Sequence, residues 1–165
     1  MADRVELYLL RHAHAGDPSA WHGPDDERPL SAKGERQAER LGTFLAELGF
    51  GPDAIISSSK LRALQTAERV AARLGVAVLQ DRRLGGSLEP AAVEAILADA
   101  GGPSRPVLVG HDPDFTSLVE ALCGGSIPMR KGALARIDIR RPIRPGRGEL
   151  RWLVPPDLLE RAPTT

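Results

Sequence analysis

The sequence predicts an α/β fold: a three-layer α/β/α sandwich with a mostly parallel central sheet and a C-terminal antiparallel hairpin at its edge. Three observations predict it. Short apolar runs alternate with helix-patterned segments through most of the chain, the connections are short, and after residue 133 the period changes to strict alternation broken by prolines and glycines. The length of 165 residues suits one domain, 1–165, with a substantial core.

Val5 to Leu10 reads as a buried strand, short and apolar. His14 to Pro29 is polar and rich in proline and glycine, so a loop is expected there. Ser31 is a candidate N-cap for a helix to Leu48, in which Ala38, Leu41, Leu45 and Leu48 recur at helical spacing and Gly49 follows as a stop. Ala54 to Ser57 is the second strand. Lys60 to Leu74, closed by Gly75, is the second helix, and Val76 to Leu79 is the third strand. Pro90 suits the first turn of a helix to about Ala100. Pro106 to Val109 is again a short apolar strand, ending at Gly110 and His111, and Pro113 can start a helix carrying Leu118, Val119 and Leu122. Ala133 to Arg140 and Leu150 to Val154 alternate apolar and polar residues around a turn with Pro142, Pro145, Gly146 and Gly148, which is the pattern of an edge hairpin. The tail from Pro155 is expected to fray, over 155–165.

Composition excludes several function classes. Basic and acidic residues balance at 22 each, which argues against a general binder of nucleic acid or acidic membranes. Any anion chemistry must come from local clustering. A single cysteine, Cys123, forbids an internal disulfide, fits a reducing compartment and argues against a thiolate zinc site. No run approaches the roughly 20 apolar residues of a membrane span, and the N-terminal stretch does not read as a signal peptide. A cytoplasmic location is the expectation.

The chemistry is expected at the carboxyl ends of the parallel strands, where ligands of open α/β sheets collect. "LYLLRH" delivers Arg11 and His12 there, "PVLVGH" delivers His111, and "AIISSS" leads into a helix with Arg62 in its first turn. Two guanidiniums and two imidazoles around one spot suit a compact, doubly charged anion, with phosphate the obvious candidate. A neutral imidazole can be a nucleophile, and a helix N-terminus near Arg62 adds donors.

The motifs "LLRHAHA" (9–15), "DERPLSAKGERQA" (26–38), "SSSKLRALQTA" (57–67), "LVGHDP" (108–113) and "RKGALARI" (130–137) occur in this order and cover nearly the whole chain. Together they resemble the histidine phosphatase superfamily, with its phosphoglycerate mutase-like fold, and within it the small SixA-like phosphohistidine phosphatases. The resemblance implies a metal-independent phosphatase without cofactor, in which His12 is the nucleophile and Arg11, Arg62 and His111 complete the phosphate pocket. It implies as substrate a phosphorylated signalling or phosphotransfer protein, such as a histidine phosphotransfer domain. A small phosphate ester (a sugar phosphate or nucleotide) is the enzymatic alternative, and a catalytically silent phosphoprotein-binding module the alternative from another class. The oligomeric state is not legible.

The proton donor is open. Asp112 follows His111 directly, as in the family's acid-phosphatase branch, and Glu89 stands in the loop before a helix. Asp112 is favoured, although it could equally cap the helix that begins at Pro113. A nitrogen leaving group tolerates a missing acid better than an alkyl ester does. Between Arg62 and His111 there is no length for a long lid, so an uncovered rim suited to a protein substrate is expected, with Trp21 and His22 of the long loop as contacts. Other polar residues have plainer readings. His14 invites a His-x-His metal site but has no acidic cluster beside it, Ser57 to Ser59 can cap a helix, and Asp26 and Arg28 can form a structural ion pair. Arg130 and Lys131 fit a surface position or a guide for an acidic partner.

Overall fold

The computed structural model describes residues 3–160. Six strands form one sheet in the order β3-β2-β4-β1-β5-β6. The strands are β1 (Arg4–Arg11), β2 (Ala54–Ser57), β3 (Val78–Gln80), β4 (Pro106–Gly110), β5 (Leu134–Arg140) and β6 (Glu149–Val154), and the helices are α1 (Ala32–Glu47), α2 (Leu61–Leu74), α3 (Pro90–Asp99) and α4 (Asp114–Cys123). β1 to β4 are mutually parallel where they pair, while β5 runs antiparallel to β1 and β6 antiparallel to β5. The α/β sandwich and its edge hairpin are therefore as the sequence predicts.

The alternation of side chains along β1 divides the interior. Val5, Leu7 and Leu9 face a core with Val93, Leu97, Phe115 and Leu118 of α3 and α4. Tyr8 and Leu10 face the other, with Leu41 and Leu45 of α1 and Ala63, Ala67 and Val70 of α2. The central strands are buried on both faces, which holds their ends rigidly.

The caps explain the helix limits. Ser31 accepts the Gly34 N–H with its side chain and starts α1. Gly75 takes the left-handed conformation at the end of α2, and the Val76 N–H turns back to the Ala71 carbonyl. Val76 therefore belongs to the helix cap, and β3 begins two residues later than the sequence predicts.

Two expectations change. The loop His14 to Pro29 contains two 3-10 turns, Pro18–Ala20 and Asp25–Glu27. The tail is docked as far as Glu160: Pro156–Leu158 form a 3-10 turn and Leu159 packs against the α1–α2 side of the core. The remainder of the predicted frayed tail, 161–165, lies outside the described residues. Among the described residues no helix is long and apolar enough to cross a membrane.

One close approach connects the fold to the rim. A Cβ at Gly34 would collide with the backbone carbonyl of His14. Gly34→Ala should therefore cost about 1–3 kcal/mol of stability, because backbone on both sides must move; urea unfolding measures it, and an unchanged midpoint would contradict the contact.

Candidate active site

Strand register places the two expected histidines side by side. Arg11 of β1 pairs with Gly110 of the adjacent parallel β4, so the following residues, His12 and His111, leave the same edge together. Their ring centroids are 5.2 Å apart with planes inclined at 53°. The His12 backbone is fixed from both sides: its N–H donates to the Gly110 carbonyl, and its carbonyl accepts from the Gly132 N–H. That N–H is shared with the Arg11 carbonyl, and Gly132 has φ 85°, which favours glycine.

His12 is buried, and its Nδ1 lies 2.7 Å from the Ala13 carbonyl oxygen. A carbonyl only accepts, so Nδ1 carries the proton and Nε2 keeps the lone pair in the neutral ring. Burial lowers the pKa of His12 to about 3, against the Ala13 hydrogen bond and with help from the neighbouring His111, Arg62 and Arg11. His111 is likewise lowered to about 3, by burial and then by Arg62, Lys60 and Arg11. Its Nε2 is 2.8 Å from Ser58 Oγ, which also accepts the Lys60 N–H.

The arginines approach from two sides. Arg11 donates from Nη1 to the Met129 carbonyl, and the same nitrogen lies 3.6 Å from an Asp112 oxygen. Burial lowers its pKa, and Asp112 opposes that. Arg62, in the first turn of α2, is buried and bound by one residue: Nη1 donates to the Asp25 carbonyl and Nη2 to the Asp25 carboxylate at 3.0 Å. Thr66, one turn on, accepts the Ala13 N–H and donates to the Arg62 carbonyl, which ties α2 to the residue after His12. Among the described residues four buried side-chain nitrogens or oxygens have no hydrogen-bond partner, and three are Arg11 Nε, Arg62 Nε and His111 Nδ1. Buried donors without acceptors are costly, and their concentration in one place marks an anion-binding group.

The candidate acids separate. Asp112 accepts the Thr116 N–H with one oxygen and the Thr116 hydroxyl with the other, so it caps α4 while leaning on Arg11. Glu89 is exposed and lines a depression with Pro142, Ile143 and Pro145. Arg140 pairs with Arg4 at the start of β1, so that turn lies at the strand ends opposite to His12. The structure does not bring Glu89 to the site.

The acid that sequence reasoning missed is Asp25. The ion pair expected between Asp26 and Arg28 is made by Asp25, whose carboxylate is 3.1 Å from Arg28 Nε and also meets Arg62. The Arg28 hydrogen bond is the chief cause that lowers its pKa, so the carboxyl is ionised at neutral pH. Asp26 instead lies 3.9 Å from Lys60. The three-residue step of the 3-10 turn brings Asp25, the first of two adjacent aspartates, to Arg28.

His14 is a connector. Its N–H donates to Gln37, its carbonyl accepts from Ser31, and its Nδ1 is 2.6 Å from Ser31 Oγ. Among the described residues no three His, Cys, Asp or Glu side chains gather as a metal-binding group. Trp21 folds onto its own loop and donates to the Pro24 carbonyl.

The arrangement can hold a tetrahedral oxyanion against a neutral imidazole. The family model of the histidine phosphatase superfamily (branch 1) matches residues 7–86. An uncharacterised protein of Picosynechococcus sp. is 38% identical over 124 residues, 73% of this chain and 74% of that protein. The 8-oxo-(d)GTP phosphatase of Mycolicibacterium smegmatis is 30% identical over 125 residues, 73% of this chain and 38% of that longer protein. Among solved structures, the protein histidine phosphatase SixA complexed with tungstate has a TM-score of 0.78 at 24% identity, covering 94% of this chain and all of that one.

The histidines set a pH test. Both are neutral when folded and have an ordinary pKa near 6.5 when unfolded, so the unfolded chain binds more protons between about pH 3 and 6.5. Their stabilising effect is complete above pH 6.5 and is lost as pH falls toward 3. From pH 7 to 5 the loss should be on the order of 2 kcal/mol for each ring. Urea unfolding at both pH values should show it in the native protein, and the drop should shrink in a His12→Asn, His111→Asn double variant; equal drops would contradict the buried neutral state.

Proposed function

This chain belongs to the histidine phosphatase superfamily, and on that premise we propose that it is a phosphatase that removes the phosphoryl group from phosphohistidine in a signalling or phosphotransfer protein, through a phosphohistidine intermediate on His12. One observation carries the reading: His12 is neutral, with Nδ1–H held by the Ala13 carbonyl and the Nε2 lone pair free for attack.

In the first step Nε2 attacks phosphorus in line. The new P–N bond forms as the bond to the substrate's imidazole nitrogen breaks, and that nitrogen takes up a proton. Arg11 and Arg62 neutralise charge on the equatorial oxygens. With the Ser58 hydroxyl donating to His111 Nε2, the ring proton sits on Nδ1 and adds a hydrogen bond to a phosphoryl oxygen. In the second step water attacks phosphorus, the P–N bond to His12 breaks, its electron pair returns to Nε2, and phosphate departs. None of these steps uses a metal.

The surrounding carboxylates support the nitrogen substrate. Asp25 is ionised between Arg28 and Arg62, and both Asp112 oxygens face Thr116. Neither is placed as a free acid. An imidazole leaving group protonates itself near neutrality, whereas an alkoxide needs an enzyme acid. The resemblance to SixA points the same way. A small phosphate compound is the second reading, favoured by the likeness to the 8-oxo-(d)GTP phosphatase, of whose length this chain spans 38%.

The test is phosphate release from phosphohistidine peptides and from sugar and nucleotide phosphates, with and without chelator. Phosphohistidine should give the highest kcat/KM, unchanged by chelator, and quenched turnover should leave phosphate on His12. His12→Ala should lose about a thousandfold or more. Undiminished His12→Ala activity would overturn the mechanism, preference for an ester would overturn the substrate, and binding without release would make the protein a phosphoprotein reader. Asp112→Asn separates cap from acid: it should keep phosphohistidine turnover within about threefold while losing about 1 kcal/mol of stability. A loss of a hundredfold would make Asp112 the proton donor.

A further inference from the structure

A depression of about 370 Å³ shares Arg11 with the site of the two histidines. His14, Lys33, Arg130 and Lys131 line it, and Asp157 and Glu160 of the docked C-terminal turn complete it. Four permanent cations thus face two carboxylates on a chain whose formal net charge is zero. Among the described residues the side chains of Lys33, Arg130 and Lys131 have no hydrogen-bond or ion-pair partner. The neighbouring Arg28 and Arg62 share the Asp25 carboxylate, and Glu160 lies 3.9 Å from Arg40.

Lys131 is the anchor of this group. Gly132, next in sequence, donates its N–H to the Arg11 and His12 carbonyls, and Arg11 donates its own N–H to the Ala133 carbonyl. The backbone of Lys131 is therefore tied to the end of β1. Burial, and then Arg11, Arg28 and Arg62, lower its pKa, with Asp17 opposing. An ammonium held in the field of three guanidiniums is repelled by all of them, and a negative group beside it relieves that repulsion. The transferred phosphoryl group is already matched by Arg11, Arg62 and His111. The surplus cations call for a second anion.

We propose that the depression is a second anion subsite, in which Lys131, with Lys33 and Arg130, holds a carboxylate or phosphate that the substrate carries beside its transferred phosphoryl group. This rests on the phosphatase reading for its role in turnover. The second anion comes from an acidic side chain flanking a phosphohistidine or from a second phosphate of a small ester.

Two substrate pairs separate these sources: a phosphohistidine peptide with glutamates or with glutamines beside the histidine, and a sugar bisphosphate against its monophosphate. In the pair that is turned over, kcat/KM should favour the doubly charged member. That ratio should fall about tenfold in Lys131→Gln and reverse in Lys131→Glu. Lys33→Gln, at an exposed position, should lower it about threefold, and circular dichroism confirms that each variant is folded. Calorimetry adds a readout that needs no turnover: pyrophosphate should bind more tightly than orthophosphate, and Lys131→Gln should remove the advantage. Intact pyrophosphate preference with no turnover of either pair or of nucleotide phosphates would overturn the phosphatase reading and leave the subsite standing. Ratios and pyrophosphate preference that are the same in native protein and Lys131 variants would overturn the subsite.

Discussion

Burial keeps the His12 ring uncharged beside two guanidiniums, and the rest of the site depends on that. A protonated ring there would repel Arg11 and Arg62 and would have no lone pair to offer. The Ala13 carbonyl settles which nitrogen carries the proton. Each feature is a property of backbone position more than of side-chain chemistry. β1 lies inside the sheet with β4 and β5 on either side, and its last residues are bonded across to both neighbours.

The same logic explains why the two faces of the sheet both matter to the rim. On one face Thr66 of α2 carries the Ala13 N–H and the Arg62 carbonyl together, so the nucleophile and one guanidinium move as a unit. On the other, Asp112 caps α4 directly after His111 and leans on Arg11. The long β1–α1 connection supplies the remaining piece, since its 3-10 turn positions Asp25 between Arg28 and Arg62. A guanidinium fixed by carboxylate and carbonyl at its two terminal nitrogens has lost its rotamer freedom before substrate arrives, which lowers the ordering cost of binding.

Much of this was legible in the residues, for identifiable reasons. Strands buried on both faces read as continuous apolar runs, and their final polar residues fall at the ligand-binding edge, so Arg11, His12 and His111 stood out. Ser31 and Gly75 marked helix ends because capping geometry restricts the residue type. What was hidden depends on geometry within loops. Prolines and glycines announce a break without specifying 3-10 turns, so Arg28 was paired with Asp26 and Asp25 went unread. Leu159 lies in a proline-bounded tail, and only the exposed groove between α1 and its neighbours explains its docking. The roles of Asp112 and Glu89 were undecided for a related reason. Sequence proximity to a strand end says nothing about which hydrogen bonds the carboxylate makes once the helix forms.

The central claim concerns one proton, and nitrogen-15 NMR of the His12 imidazole reads it directly. The account predicts a neutral ring from pH 8 to below 5, with a protonated Nδ1 and an Nε2 shift typical of a bare, pyridine-like nitrogen. A ring that is an imidazolium at pH 7, or a neutral ring with its proton on Nε2, would contradict it.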